Sequence, residues 1–160
     1  MLRLFCSLSM KGSFLMKTLN IKKVKSNAIL PVRATEGSAG ADMCACIDSP
    51  VTLWPGRREL IPTGIAMEIE PGWVGLQFGR SGLGTKHGIT LSNAVGVIDS
   101  DYRGEVYVAL INHGELPYTI QHGERIAQLV FVPVAVAGIV EVDELSSTER
   151  GMGGFGSTGK

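Results

Sequence analysis

The sequence predicts an all-β protein, a jelly-roll-like barrel or sandwich of many short strands with a flexible glycine-rich C-terminal arm. Three observations carry this expectation. The apolar runs are short and rich in β-branched and aromatic residues: Val51–Trp54, Leu60–Ile69, Trp73–Phe78, Val106–Ile111 and a longer run over 126–142. The gaps between them hold turn chemistry, Pro71-Gly72, His87-Gly88, Asn112-His113-Gly114 and Gln121-His122-Gly123. Finally, 21 glycines and 7 prolines in 160 residues leave little room for long helices. Only the segment Gly82–Gly88, after Ser81, reads as a helical turn, and its glycines limit it to that.

A chain of this length fits one compact domain with a hydrophobic core. At 44% hydrophobic and 19% charged residues it has an ordinary globular composition. No stretch reaches the roughly 20 apolar residues of a membrane span, and a formal net charge of zero gives no reason to expect nucleic acid or a membrane as partner. The charge is unevenly placed, however: residues 1–35 carry seven basic residues and no acid. Residues 1–16 read as a dispensable extension or a start displaced from Met16, with organelle targeting as the remaining alternative. Met16 opens MKTLNIKKVK, a natural lead into a first strand. The expected organisation is thus an extension (1–16), a β domain (17–145) and a mobile arm (146–160). Cys6, Cys44 and Cys46 are too few and too irregularly spaced for a disulfide framework. Cys44 and Cys46 share one face of a strand, so packing accounts for them better than metal, and a reducing compartment, the cytoplasm, is expected.

Two glycine-rich segments have the chemistry of phosphate binding. In Gly79-Arg80-Ser81-Gly82-Leu83-Gly84 an arginine and a hydroxyl stand beside glycines that let backbone N–H groups approach an anion. The guanidinium fork matches phosphate oxygens. The tail SSTERGMGGFGSTGK repeats the scheme with Arg150, Ser157 and Thr158, and adds an isolated Phe155. Neither is a Walker motif. Residues 92–105 read as a hairpin in which apolar residues climb to an acidic turn, and Val106–Ile111 returns. Asp99 and Asp101 compete to be a general base at its mouth, and Asp42 is a third acid of interest near magnesium. His87, His113 and His122 each sit by a glycine without triad or zinc spacing, and are expected to be solvent-facing turn residues.

Taken together and in order, these segments resemble the trimeric deoxyuridine triphosphatase family over residues 39–159. Five motifs carry the resemblance: Ala39-Gly40-Ala41-Asp42-Met43 (Met43 replacing the usual leucine); Gly79–Leu83 with Lys86 and Gly88; Gly96-Val97-Ile98-Asp99 with Tyr102, Gly104 and Glu105; Gly123–Gln128; and Arg150-Gly151 through Gly159. The resemblance implies a homotrimer whose active sites are shared between subunits. It implies hydrolysis of dUTP to dUMP and pyrophosphate, which limits uracil in DNA and supplies dUMP for thymidylate synthesis. By the same resemblance, Asp99 activates the water that attacks the α-phosphorus, and Arg80, Ser81, Gly82 and Gln128 hold phosphates. Uracil pairs with Asn93 and with backbone around Gly96, Val97 and Ile98. Tyr102 lies under the deoxyribose and Tyr107 lines the same pocket. The arm closes with Phe155 over the base and Arg150 on the triphosphate, and Gly156 and Ser157 also bind substrate. Mg2+ is held mainly by substrate phosphates and waters, with Asp42 at most indirect.

Two rival readings remain at this level. A dCTP deaminase of the same fold would need a glutamate acid/base, whereas the acid here is Asp99 in an intact GVIDSDYRG. A non-catalytic nucleotide-binding jelly roll would bind without releasing pyrophosphate.

Overall fold

The computed structural model describes residue 16 and residues 18–154. Eleven strands and one helix follow in chain order: β1 (Asn20–Lys23), β2 (Ala41–Cys44), β3 (Val51–Leu53), β4 (Arg58–Pro62), β5 (Ile65–Glu68), β6 (Trp73–Gly79), α1 (Ser81–His87), β7 (Ile89–Leu91), β8 (Gly96–Ile98), β9 (Tyr107–Asn112), β10 (Tyr118–Ile120) and β11 (Arg125–Pro133). The predicted all-β class is the observed one. The segment read as a helical turn is α1, stopped by Gly88 in the left-handed region at φ 70°.

The strands form four small antiparallel sheets: β2-β11-β6-β8, β4-β9-β7, β1-β5 and β10-β3. Strand β11 is the spine, pairing with β6 from Ala127 to Pro133 on one side and with β2 on the other. Alternation along the strands sends Met43, Leu53, Ile61, Ile65, Val108, Leu110, Ile126 and Leu129 into one contiguous core, all nearly or fully sealed from solvent. Asn112 is fully buried yet satisfied: its amide donates to the Leu53 and Leu116 carbonyls and accepts from Gly114 N–H, tying β9 to the turn that follows it. Among the described residues, no helix is long and apolar enough to cross a membrane.

Three details differ from the sequence reading. The run Leu60–Ile69 is two strands, because Gly64 at φ 69° turns the chain between β4 and β5. The run over 126–142 stops at Pro133, and residues 134–145 form no strand. They leave Val136, Ile139, Val140, Val142 and Leu145 exposed. Met16 is not outside the packed body, since it packs, partly buried, against the core together with Leu19 and Ile21. Cys44 and Cys46 are both buried free thiols, as packing predicted. Burial, then the nearby Asp42 charge, pushes the Cys44 thiol up, and burial does the same for Cys46.

Candidate active site

The segment read as a hairpin is an open one. Strand β8 pairs with β6, while β9 pairs with β4 and β7, so the two arms lie in different sheets and make no ladder with each other. Between them is a cavity of about 290 Å³. Asn93, Gly96, Val97, Ile98 and Asp99 line one side, Glu105 and Tyr107 the other, with Tyr102 at the turn and Gln77 on the β6 floor. Strand β8 is the edge of its sheet, so its far side has no strand partner among the described residues and borders the gap, which suits reading a flat polar ring by its edge, whereas β9 is paired on both sides.

The turn is held by its own side chains. Tyr102 Oη donates to the Glu105 carbonyl (2.8 Å), folding the ring back over Gly104. A Cβ on Gly104 would stand 2.5 Å from Tyr102 Oη, so only glycine permits this fold. The Glu105 carboxylate accepts from Gly64 N–H (2.8 Å) and from Tyr107 Oη (3.0 Å). That bond, followed by the Glu105 charge, raises the Tyr107 hydroxyl's pKa and keeps it a donor. In the connection that leads from β7 into β8, Val95 N–H bonds the Asn93 carbonyl (2.6 Å) across Ala94, whose φ of 61° is the positive φ of a three-residue γ-turn. Asp99 is exposed on the cavity wall, whereas Asp101 does not line that cavity.

A second cavity, about 380 Å³, lies where β2, β11 and the start of α1 meet, and it shares no lining residue with the first. Arg80, Ser81, Gly82 and Gln128 line it with Asp42, Gly40 and Arg125. Asp42 accepts from Arg80 Nε (2.9 Å) through one oxygen and from Arg125 Nη1 (3.0 Å) through the other. At 18% side-chain exposure it is the most sheltered of the three, against 28% for Arg80 and 55% for Arg125. Two guanidiniums share one carboxylate, so the wall keeps a net positive charge with its forks pre-oriented, an arrangement suited to a polyphosphate. Gln128 Nε2 donates to the Gly79 carbonyl (3.1 Å), fixing its amide beside the same wall.

Behind this wall, α1 packs against β7 and, through His87, against β10. The His87 ring packs on Tyr118 at 4.8 Å between centroids, so this histidine, expected to face only solvent, also has a packing partner. Tyr118 in turn hydrogen-bonds Glu124, whose other oxygen accepts from Gln121 N–H (3.0 Å). Burial, then this bond to Glu124, pushes the Tyr118 hydroxyl up to about 12, so it stays a donor at any physiological pH. Farther along, Arg150 is exposed, its Nε donating to the Gly153 carbonyl (2.8 Å) within a tight turn. Phe155, Gly156 and Ser157 lie outside the described residues. No group of three His, Cys, Asp or Glu among the described residues could hold a metal ion.

A sequence profile of the dUTPase family matches residues 26–159. The chain belongs to the dUTPase family. A deoxyuridine 5'-triphosphate nucleotidohydrolase of Hahella chejuensis is 52% identical over 151 residues, which cover 94% of this chain and 99% of that one. The solved dUTPase of Staphylococcus bacteriophage 80alpha, a variant with dUpNHpp, superposes with a TM-score of 0.81 at 30% identity, covering 90% and 99% of the two chains. A dUTPase variant of Staphylococcus aureus phage phi11, described with a structural Mg(II) ion, gives a TM-score of 0.72 at 27% identity over 79% of this chain and 97% of that one. Against these likenesses neither the deaminase nor the non-catalytic reading is favoured.

In this dUTPase-family chain four of the five motifs line the two cavities: the first, second and fourth converge on the arginine-lined one and the third lines the other, while the fifth lies partly outside the described residues. Arg125 escaped the sequence reading of site residues although it stands inside the fourth motif, because its partner Asp42 is 83 residues away and only the β2–β11 ladder joins them. Gln77 and Glu105 were also missed as lining groups. The first hides in the apolar run Trp73–Phe78, and the second reads as an ordinary turn acid.

Proposed function

We propose that the chain hydrolyses dUTP to dUMP and pyrophosphate at a site made of both cavities. The cavity between β8 and β9 takes the uracil and deoxyribose, and the arginine-lined cavity takes the phosphates. The observation that carries this reading is the splayed hairpin itself, a slot bordered by the edge strand β8, with Tyr102 folded across its turn and a carboxylate, Asp99, on its wall. In the slot, Asn93 and the backbone of Gly96, Val97 and Ile98 pair with the base edge. Tyr102 packs under the sugar, where a 2′-hydroxyl would collide, and Tyr107 lines the opposite wall. Arg80, Ser81, Gly82 and Gln128 bind phosphate oxygens while Asp42 holds Arg80 and Arg125 in place.

Chemistry then needs positioning and charge neutralisation more than covalent help. Asp99 accepts a proton from water as the water oxygen bonds to the α-phosphorus. The bond from that phosphorus to the bridging oxygen breaks, and pyrophosphate leaves with the electron pair. Mg2+ carried on the triphosphate would supply charge neutralisation there. Such an ion keeps phosphate and water ligands and needs few from protein. The donor set fits that mode, because Asp42 is already engaged by two guanidiniums and is left only an indirect role.

Because the two cavities share no residue within one chain, the site is proposed to form between subunits of a homotrimer. The apolar side chains exposed along 134–145 are proposed to be covered in that assembly. Residues 146–160 act as the closing arm, with Arg150 on the triphosphate, Phe155 over the base, and Gly156 and Ser157 also binding substrate. Residues 1–16 stay outside the catalytic body apart from the Met16 contact. Cytoplasmic residence belongs to the same proposal, supported by the free thiols of Cys44 and Cys46. The site of water attack is testable directly. Turnover of dUTP in oxygen-18 water is expected to place the label on dUMP, read by mass spectrometry. Label on pyrophosphate would mean attack at another phosphorus, and Asp99 would then not be the base that activates the water.

A further inference from the structure

Gln77 sits in the middle of β6, is 5% exposed, and lines the floor of the cavity between β8 and β9. Gly96 stands opposite it in the β6–β8 ladder. Its amide can be oriented by chemistry alone. Nε2 lies 3.1 Å from the Tyr107 carbonyl, which can only accept, so the nitrogen must face Tyr107. Oε1 then faces the other way, across Gly96, where a Cβ would stand 2.4 Å from it. No hydrogen bond from a described residue reaches Oε1, yet no sealed side-chain polar atom among the described residues lacks a partner. Oε1 is therefore not sealed but opens on the cavity. A side chain this buried, with one half tied to the backbone and the other presented to a slot, is an acceptor waiting for a donor.

We infer that Gln77 is a specificity-determining residue whose Oε1 accepts the N3–H of the uracil ring. The inference rests on the proposal that this cavity holds the base. Uracil carries a hydrogen at N3, whereas the cytosine N3 is a bare lone pair that would face the lone pairs of Oε1. The amide cannot turn its NH2 toward cytosine without breaking the bond to Tyr107. Rejection of cytosine is thus built into the floor of the slot, in addition to whatever Asn93 contributes at its rim.

Dissociation constants of dUMP and dCMP, measured by calorimetry on the full chain and on Gln77→Met, test this. Methionine keeps the length of the side chain but has no comparable acceptor. The variant is expected to bind dUMP about tenfold more weakly, the worth of one hydrogen bond, and dCMP no more weakly than before, so the preference narrows about tenfold. Equal weakening of both nucleotides, with the preference kept, would show a merely structural role and overturn the inference. A wild-type protein with no preference for dUMP would instead overturn the base-pocket proposal itself. Should the variant not fold, the wild-type protein suffices. With dUMP labelled with nitrogen-15 at N3, the bound imino proton is expected to show a nuclear Overhauser contact to the Gln77 side-chain amide. A protected imino proton without that contact contradicts the assignment.

Discussion

Asp99→Asn is expected to lower kcat for dUTP by about 10²–10⁴, or some 3–5 kcal/mol of transition-state stabilisation, while leaving dUTP affinity within a few-fold of wild type. The asymmetry follows from position. Asp99 is exposed on the cavity wall, and none of the hydrogen bonds that shape the slot uses its side chain, since these run through Tyr102, Glu105, Tyr107 and Gly64. Asparagine keeps the shape and removes the basic lone pair, so binding survives and proton transfer does not. Single-turnover kinetics alongside equilibrium binding of a non-hydrolysable analogue would separate the two. Turnover near wild type would move the base elsewhere, with Asp101 the first to test.

A second large effect is expected from mixing two inactive proteins. A chain truncated after Leu145 lacks the arm, and an Asp99→Asn chain lacks the base. If one site takes its slot from one subunit and its arm from another, co-expression should restore activity in mixed trimers from parents that have almost none. An arm of 15 residues spans at most about 50 Å, which is ample to reach a neighbour. Tagged co-purification and native mass spectrometry identify the mixed species. Background activity in confirmed mixed trimers would mean that the arm serves its own chain.

The β class and the helical turn were legible because they depend on local chemistry: turn dipeptides, β-branched runs and a glycine after His87. Pairing was not. Residues 92–111 carry the alternation and acidic turn of an ordinary hairpin, and nothing local says that β8 will pair with β6 while β9 pairs with β4 and β7. That separation makes the slot, so the feature on which the proposed base site depends is the one a linear pattern hides. The arginine-lined wall was half legible. Arg80 and Gln128 stand in glycine-marked motifs, but the Arg80–Asp42–Arg125 bridge depends on a ladder joining residues more than 80 apart. Likewise Gln77 reads as one polar letter in a core strand until its burial and its single tied nitrogen are seen. The run over 126–142 misled for a plain reason. Its apolar letters continue to Val142, but Ala135, Ala137, Gly138 and Glu141 weaken the strand preference, and among the described residues no partner strand continues beyond Pro133.

Pyrophosphate release from dUTP, UTP, dTTP and dCTP at equal concentrations with Mg2+ tests the central claim most directly. A slot that pairs with the uracil edge and packs Tyr102 beneath the sugar predicts kcat/KM for dUTP at least about 10²-fold above each of the others, with the missing 2′-hydroxyl, the ring methyl and the exocyclic amine each read by a different wall. UTP turned over as well as dUTP would contradict the role of Tyr102. Pyrophosphate from dCTP at a comparable rate would contradict the reading of the slot as a uracil site.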